Sequence, residues 1–333
     1  MSAASLQRLV DRYAAWVGDR YACVATPDEI SFAECDGWRL AIRRYGRGEP
    51  VALCHGFGGN HASFELDEGR GLAPWLAEQG FAAHVVSLRG TPGSEEIGST
   101  DPRIGLDHWA CHDVPAVVSA VLAQCGAHEL AWVGHSLGAL LPILAGERRV
   151  SRLVALGPPF DLSRTTAGRS LRIARWLSHM LTGGRALPMK RLARLEAPLM
   201  GRFTLPSALS FISPPNLDGD VTRALHSHAT EDLAGGVLED LDEWCQGSPT
   251  WELRVLESLR SWRARTVCLV GDDDPWAPPA VIEERAKVLP NSVVRRVCGP
   301  DERGYSHIEL LAGQRAPSET FAMVRDALRE RGP

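Results

Sequence analysis

The sequence AWVGHSLGAL, residues 131–140, places Ser136 between two glycines, each two positions away. The apolar run ELAWVG before the serine predicts a buried strand, and LGALLPILAGERR after it predicts a helix. A Gly-x-Ser-x-Gly pattern at such a junction indicates a sharp, strained turn that lifts the hydroxyl above the sheet. Side chains at Gly134 and Gly138 would collide across this turn, and the helix start stabilises negative charge. This context favours a nucleophilic serine over an ordinary glycine-rich turn.

Strands and helices alternate on both sides of this stretch. The predicted strands are EISFAEC, WRLAIRRYG, VALCHGFGG, FAAHVVSLRG, ELAWVG, VSRLVALGP, ARTVCLVGD and NSVVRRVCG. Alternation of this kind predicts an α/β fold with a mostly parallel central sheet flanked by helices. The pattern lapses in the middle of the chain, which is helical and lacks a clear strand. We therefore predict a first core segment over 1–157, a helical lid insertion over 158–247 and a second core segment over 248–333, with an amphipathic helix within 5–17 opening the chain.

Composition narrows the classes of partner. The 333 residues carry a formal net charge of −5, which argues against a nucleic-acid partner. No run approaches the roughly 20 apolar residues that span a membrane, and the start of the chain does not resemble a signal peptide. The eight cysteines form no C-x-x-C pair, so neither zinc nor another metal is expected. We expect a cytoplasmic protein with reduced thiols.

A nucleophilic serine needs a base, and the chain has eleven histidines. His307 follows the last predicted strand, at the carboxyl edge of the sheet, where it is placed to reach the serine. His135 lies on the turn itself, and His55 lies in a loop where it is expected to shape the backbone. His226 and His228 belong to the insertion and would reach the serine only from above. His307 is therefore the predicted base.

The base in turn needs a carboxylate to orient it. The segment VGDDDPWAPP follows a predicted strand and offers aspartates at 272–274. We choose Asp274, because Pro275 fixes the chain direction directly after it. Asp161, in the loop after the preceding core strand, is the reserve candidate.

Two backbone amides are expected to stabilise the oxyanion. Leu137 directly follows the nucleophile and supplies one N–H. The loop CHGFGG contains His55, Gly56 and Phe57 and is rich enough in glycine to approach a ligand closely with its backbone. The Phe57 N–H is the second predicted donor.

Together these motifs resemble the α/β-hydrolase superfamily, in its serine-nucleophile, esterase- or lipase-like branch with a lid insertion. The resemblance covers residues from about 30 to the C-terminus, except the insertion. GHSLG is similar to the family's nucleophile elbow, HGFG to its oxyanion loop, VSLRGTPGS to the loop after its fourth strand, and YSHIELL to the histidine segment of acid-lipase-like and polyester-synthase-like branches. GDDDPWAP resembles the acid segment, which falls on Gly271, Asp274 and Pro278. Those branches usually carry Asp where this chain has Glu309, and the synthases carry Cys where it has Ser136, which favours hydrolysis over polymerisation.

The resemblance implies that Ser136 attacks a carbonyl while His307 takes its proton and Asp274 holds the imidazole. It implies a small-molecule substrate, an ester or lactone with an apolar acyl part, and no cofactor. Apolar side chains of the insertion are expected to bind the acyl part, and Leu209 and Phe211 are the residues we select. Two alternatives stay open: a thioesterase or acyltransferase/cyclase acting on a carrier- or coenzyme A-bound acyl group, and a non-catalytic binding scaffold with this fold.

Charge is unevenly distributed within the insertion. Residues 161–202 contain nine basic and two acidic residues, and acidic residues dominate 217–257. One interpretation is that the two halves neutralise each other. The other is that the basic half docks an anionic partner, such as an acyl carrier protein, a coenzyme A tail or an anionic lipid surface, through an apolar helix face beside Arg172 and Arg175.

Overall fold

The computed structural model describes residues 12–13, 16, 24–66, 69–99, 103–199, 217, 219–298 and 304–330. The helix predicted within 5–17 lies almost wholly outside these ranges, as do Leu209 and Phe211. Among the residues that the structure describes, no helix combines the length and the apolar character needed to span a membrane.

A nine-stranded sheet forms the centre of the protein, in the order β1-β2-β4-β3-β6-β7-β10-β11, with β5 paired to β2. From β4 to β11 all neighbours are parallel, whereas β1, β2 and β5 pair antiparallel at one end. The strands are β1 (Glu29–Cys35), β2 (Trp38–Tyr45), β3 (Glu49–Cys54), β4 (Phe81–Val86), β5 (Ser94–Glu96), β6 (Leu130–His135), β7 (Val150–Leu156), β10 (Arg265–Gly271) and β11 (Ser292–Val297). The predicted α/β class and mostly parallel sheet are confirmed.

Helices cover both faces of this sheet. The core helices are α1 (Leu72–Glu78), α2 (Val114–Cys125), α3 (Leu137–Ala145), α8 (Pro249–Ser261), α9 (Pro279–Ala286), α10 (Glu309–Ala312) and α11 (Thr320–Arg329). One apolar cluster packs α2, α3 and α8 against one face around Trp132, and another packs α1 and α11 against the other face around Phe321. Parallel strands buried on both faces are expected to be apolar throughout, and β4 and β6 are buried along their whole length.

The insertion contains α4 (Ala167–Thr182), α5 (Met189–Glu196), α6 (Gly219–Ala224) and α7 (Gly235–Cys245). The prediction that this segment lacks a strand was wrong, because β8 (Ala186–Leu187) and β9 (Leu233–Ala234) pair antiparallel within it. Two residues per strand are too few for an alternating pattern to be visible in the sequence. A π-helical turn at Leu225–Ala229 follows α6 and leads to the segment that touches the core.

Candidate active site

The turn that carries Ser136 is strained, as the sequence predicts. Ser136 lies between β6 and α3 with φ 53° and ψ −126°, in a region that residues with a side chain rarely adopt. A Cβ at Gly134 would lie 2.4 Å from the Ala139 Cα, and one at Gly138 would lie 2.3 Å from the Cys54 carbonyl oxygen. A side chain at either position would therefore collide with backbone, so both positions need glycine. The Ser136 side chain is half-buried at the end of the sheet.

The loop after β3 packs directly against this turn. A Cβ at Gly56 would lie 2.8 Å from the Ser136 Cβ and 3.4 Å from its Oγ. The Gly56 carbonyl accepts hydrogen bonds from the His55 ring (Nδ1 to O, 2.9 Å) and from the Gly59 amide (3.3 Å). In a trans peptide the carbonyl and the following N–H point in opposite directions, so these bonds also set the direction of the Phe57 N–H. The expected backbone role of His55 is thus explained by its contact with Gly56.

The predicted base and acid are in contact. His307 Nδ1 lies 2.7 Å from Asp274 Oδ2, and both side chains are buried. The other carboxylate oxygen accepts the amides of Trp276 and Ala277, at 2.8 and 2.9 Å. Burial disfavours the charged carboxylate, but the contact with His307 and these two amides outweigh burial and keep the pKa of Asp274 below its usual range.

Gly157 lies against this pair, and sequence reasoning missed it. It follows β7 with φ 54°, and a Cβ there would lie 2.9 Å from Asp274 Oδ2 and 3.1 Å from His307 Nδ1. The preceding residue, Leu156, accepts the Ser136 amide at 2.8 Å. The backbone of Leu156 and Gly157 therefore contacts Ser136 on one side and the His307–Asp274 pair on the other.

His135 contacts the segment that carries His307, which the sequence did not reveal. Its Nε2 lies 3.0 Å from the His307 carbonyl oxygen, and the two rings are 4.7 Å apart. Burial, reinforced by the neighbouring His307, lowers the pKa of His135 to about 3. The ring is therefore neutral at physiological pH, and its Nε2–H donates to the loop that carries His307.

The other candidates for the acid and the base make contacts of a different kind. Asp161 binds Arg285 and accepts the Ser163 hydroxyl at 2.6 Å, so this carboxylate is already engaged. The His226 ring lies 2.9 Å from the Thr222 carbonyl oxygen. In the ranges that the structure describes, no group of three or more His, Cys, Asp or Glu side chains could hold a metal ion.

The charged halves of the insertion meet at several points. Arg175 binds the buried Asp242 at 2.8 Å, and Lys190 binds Glu231 at 2.9 Å. Partial neutralisation between the two halves is thus present. Helix α4 nevertheless exposes both apolar and basic side chains to solvent. These are Arg169, Arg172, Ile173, Trp176 and Met180.

Comparison with known proteins agrees with this architecture. Residues 51–318 match the family model described as "Alpha/beta hydrolase family". Lipase member K of Homo sapiens is 20% identical over 349 aligned positions, which cover 88% of this chain and 85% of the human protein. A thermophilic esterase from Thermogutta terrifontis has a TM-score of 0.61 at 18% identity and covers 90% of this chain and 98% of its own. The thioesterase domain from the curacin biosynthetic pathway has a TM-score of 0.59 at 16% identity and covers 90% and 99%. At such identities the solved structures establish the shared fold, and the family match over most of the chain shows that this protein belongs to the alpha/beta hydrolase family.

Proposed function

We propose that the protein hydrolyses a carboxylic ester or lactone with an apolar acyl part, through an acyl-enzyme intermediate on Ser136. The observation that carries the proposal is the buried contact between His307 and Asp274, which lies against Gly157, the residue after the one that accepts the Ser136 amide. A carboxylate that binds one imidazole nitrogen leaves the other nitrogen to act as a base. Relatives that are esterases, lipases and thioesterases support the same reaction class.

In the acylation step, the Ser136 oxygen bonds to the ester carbonyl carbon, and its proton passes to Nε2 of His307. Asp274 stabilises the imidazolium and fixes which nitrogen takes the proton. The negative carbonyl oxygen accepts the N–H groups of Phe57 and Leu137, each of which is worth about 3 kcal/mol in comparable sites. The bond to the alcohol then breaks, and His307 returns the proton to the departing alkoxide.

In the deacylation step, water bonds to the acyl carbon while His307 takes its proton. The bond between the acyl carbon and the serine oxygen breaks, the proton returns to Ser136, and a carboxylic acid leaves. For a lactone the alcohol stays attached to the acyl chain, and the product is a hydroxy acid. No step requires a group beyond this chain, the ester and water.

The preference for an apolar acyl part rests on two apolar side chains near the predicted site. A Cβ at Gly58, next to Phe57, would lie 2.9 Å from Leu233, and the Trp276 ring lies 6.4 Å from the His307 ring. Apolar walls with a few directed polar groups are typical of small-molecule sites. Leu209 and Phe211 stay predictions for the acyl pocket, and their replacement is expected to change chain-length preference more than turnover of a nitrophenyl acetate.

The test is labelling with a fluorophosphonate, in which the serine oxygen displaces fluoride from phosphorus, followed by mapping of the labelled peptide. Ser136 is expected to be labelled, and Ser136→Ala is expected to lose both labelling and turnover. Ser163→Ala, which removes an exposed serine bound to Asp161, is the control and should behave like the wild type. Absence of labelling at Ser136 in the folded wild type would refute the proposal and favour the scaffold alternative.

A panel of nitrophenyl esters, lactones and acyl thioesters then separates hydrolysis of oxygen esters from thioester chemistry. We expect kcat/KM to rise with acyl length for the oxygen esters and to exceed that of matched thioesters. Higher kcat/KM for thioesters, or acyl transfer to an added alcohol or amine in preference to water, would identify the thioesterase or acyltransferase alternative.

A further inference from the structure

The loop that carries the Phe57 amide is fixed on its outer side by the insertion. The Glu231 amide donates to the Gly58 carbonyl at 2.9 Å, and Gly59 pairs with Thr230 as an isolated antiparallel bridge. A Cβ at Gly58 would lie 2.9 Å from Leu233. This oxyanion loop, residues 55–60, is therefore contacted by the serine turn on its inner side and by the insertion on its outer side.

Three polar side chains complete this contact. Asn60 is 1% exposed, and its Nδ2 donates to the His228 carbonyl at 2.7 Å and to Glu231 Oε2 at 3.2 Å. The same Glu231 oxygen accepts Lys190 Nζ at 2.9 Å, and its other oxygen accepts the Asp232 amide at 3.2 Å. Glu231 is only 5% exposed. A buried carboxylate is costly unless it is fully hydrogen-bonded, so this arrangement has a strongly preferred geometry.

Asn60 connects this cluster to the oxyanion loop. Its Oδ1 accepts the Ala62 amide at 2.9 Å and caps the turn His61–Phe64 that ends the loop. Asn60 lies three positions after Phe57, and the Gly59 amide between them donates to Gly56. Movement of Asn60 is therefore transmitted over a few backbone bonds to the peptide that presents the Phe57 N–H.

We propose that Asn60, Glu231 and Lys190 form a latch, a set of positioning residues through which the insertion sets the direction of the Phe57 amide. The inference rests on the proposed function, because it assigns the latch to the oxyanion hole of that reaction. It gives the insertion a part in transition-state stabilisation in addition to substrate selection. Hydrogen bonds to the developing oxyanion are sensitive to donor position, so a loosened latch lowers kcat more than it changes KM.

The decisive variant is Asn60→Asp. It retains the cap on Ala62, since Asp caps as well as Asn does, but it turns a donor into an acceptor facing the His228 carbonyl and the Glu231 carboxylate. We expect kcat for nitrophenyl acetate to fall about 10- to 100-fold, less than the full loss of one oxyanion donor, with KM changed by less than about threefold. Adding Glu231→Gln to this variant supplies a new amide donor and removes the charge repulsion, and the double variant should recover at least about fivefold in kcat.

Lys190→Met is a second, milder variant that keeps the aliphatic stem, and it should lower kcat about threefold to tenfold. Arg175→Met is the matched control, because it also removes a cation from a buried carboxylate of the insertion, Asp242. Among the described residues, neither Arg175 nor Asp242 has a hydrogen bond or ion pair with residues 55–60. Arg175→Met should keep kcat at the wild-type value even if it lowers the unfolding midpoint. Affinity for a trifluoromethyl ketone, which forms an oxyanion on the serine, should fall in proportion to kcat/KM in the latch variants only.

Each outcome decides the latch. It is overturned if Asn60→Asp and Lys190→Met keep the wild-type kcat, if Arg175→Met loses as much as they do, or if the double variant shows no recovery. If Asn60→Asp does not fold, the comparison of Lys190→Met with Arg175→Met decides alone. Failure of the wild type to react with a fluorophosphonate would instead refute the proposed function, and the two failures are thereby distinguishable.

Discussion

Replacing Gly56 by alanine tests how closely the oxyanion loop must approach the nucleophile. Gly56 has no positive φ, so alanine suits its backbone and the only obstacle is space. The new methyl group would lie 2.8 Å from the Ser136 Cβ and 3.1 Å from the His135 carbonyl oxygen. Neither neighbour is the flexible end of a long side chain, so backbone must move.

The size and direction of the movement follow from the contacts. Ordinary contact begins at 3.4 Å, so the two carbons must separate by 0.6 Å. The serine turn is closed by Gly134 and Gly138 against backbone, and therefore the loop moves rather than the serine. Misplacement by about 1 Å at a reacting centre costs on the order of 10²-fold, and we expect kcat to fall about 10- to 100-fold, or about 1.4–2.7 kcal/mol. Overpacking should also lower the free energy of unfolding by about 1–3 kcal/mol.

The assay compares Gly56→Ala with Gly59→Ala by steady-state hydrolysis of nitrophenyl acetate and by urea unfolding. A Cβ at Gly59 makes its nearest contact at 3.4 Å, with the Ser63 hydroxyl, so the same substitution three residues away causes no clash. Its kcat should stay within about threefold of the wild type. If the two variants have equal kcat while both are folded, the loop does not need this close approach and the assignment of the oxyanion hole is wrong.

Three further results are expected. Asp274→Asn should lower kcat by about 10³- to 10⁴-fold, because the imidazole loses its fixed tautomer, as steady-state kinetics will show. Asp161→Asn should leave kcat unchanged but lower the free energy of unfolding in urea by about 2 kcal/mol, because its arginine partner loses a charged acceptor. Burial lowers the pKa of His55 and His84 to about 4 and of His135 to about 3, so the unfolded chain binds protons first as pH falls. The free energy of unfolding should be highest above about pH 6.5 and should fall by up to about 4 kcal/mol per pH unit towards pH 4.5. Urea midpoints that do not change with pH would contradict this expectation.

The serine turn and the His–Asp contact could be predicted because their signals are local. Gly134 and Gly138 are two positions from Ser136, and the flanking strand and helix have clear apolar patterns. Asp274 and His307 each follow a predicted strand of a parallel sheet, and the carboxyl ends of such strands meet at one edge. A choice between Asp274 and Asp161 rested on one proline, and the structure brings only Asp274 into contact with His307.

The residues that sequence reasoning missed act over long chain separations. Gly157 contacts side chains more than a hundred positions away, and its own surroundings, LGPP, are typical of many loops. Asn60 and Glu231 are 171 positions apart, and neither lies in a local sequence pattern that predicts the contact. The short strand β5, with the sequence SEE, has low strand propensity and forms only because β2 offers an edge.

The glycines also bear on the proposal that the insertion selects the substrate. Gly56 lies against Ser136 on one side and Gly157 lies beside the His–Asp pair on the other, while α3 begins directly after the serine. Each of these neighbours is backbone that is already in close contact. A change of side-chain rotamer therefore cannot make more space on these sides of the serine. In the part of the chain that the structure describes, residues 228–231 of the insertion contact the outer side of the same loop. We therefore expect substitutions in the insertion to alter selectivity and oxyanion geometry together, whereas substitutions at Gly56, Gly134, Gly138 and Gly157 should lower turnover of every ester to a similar degree.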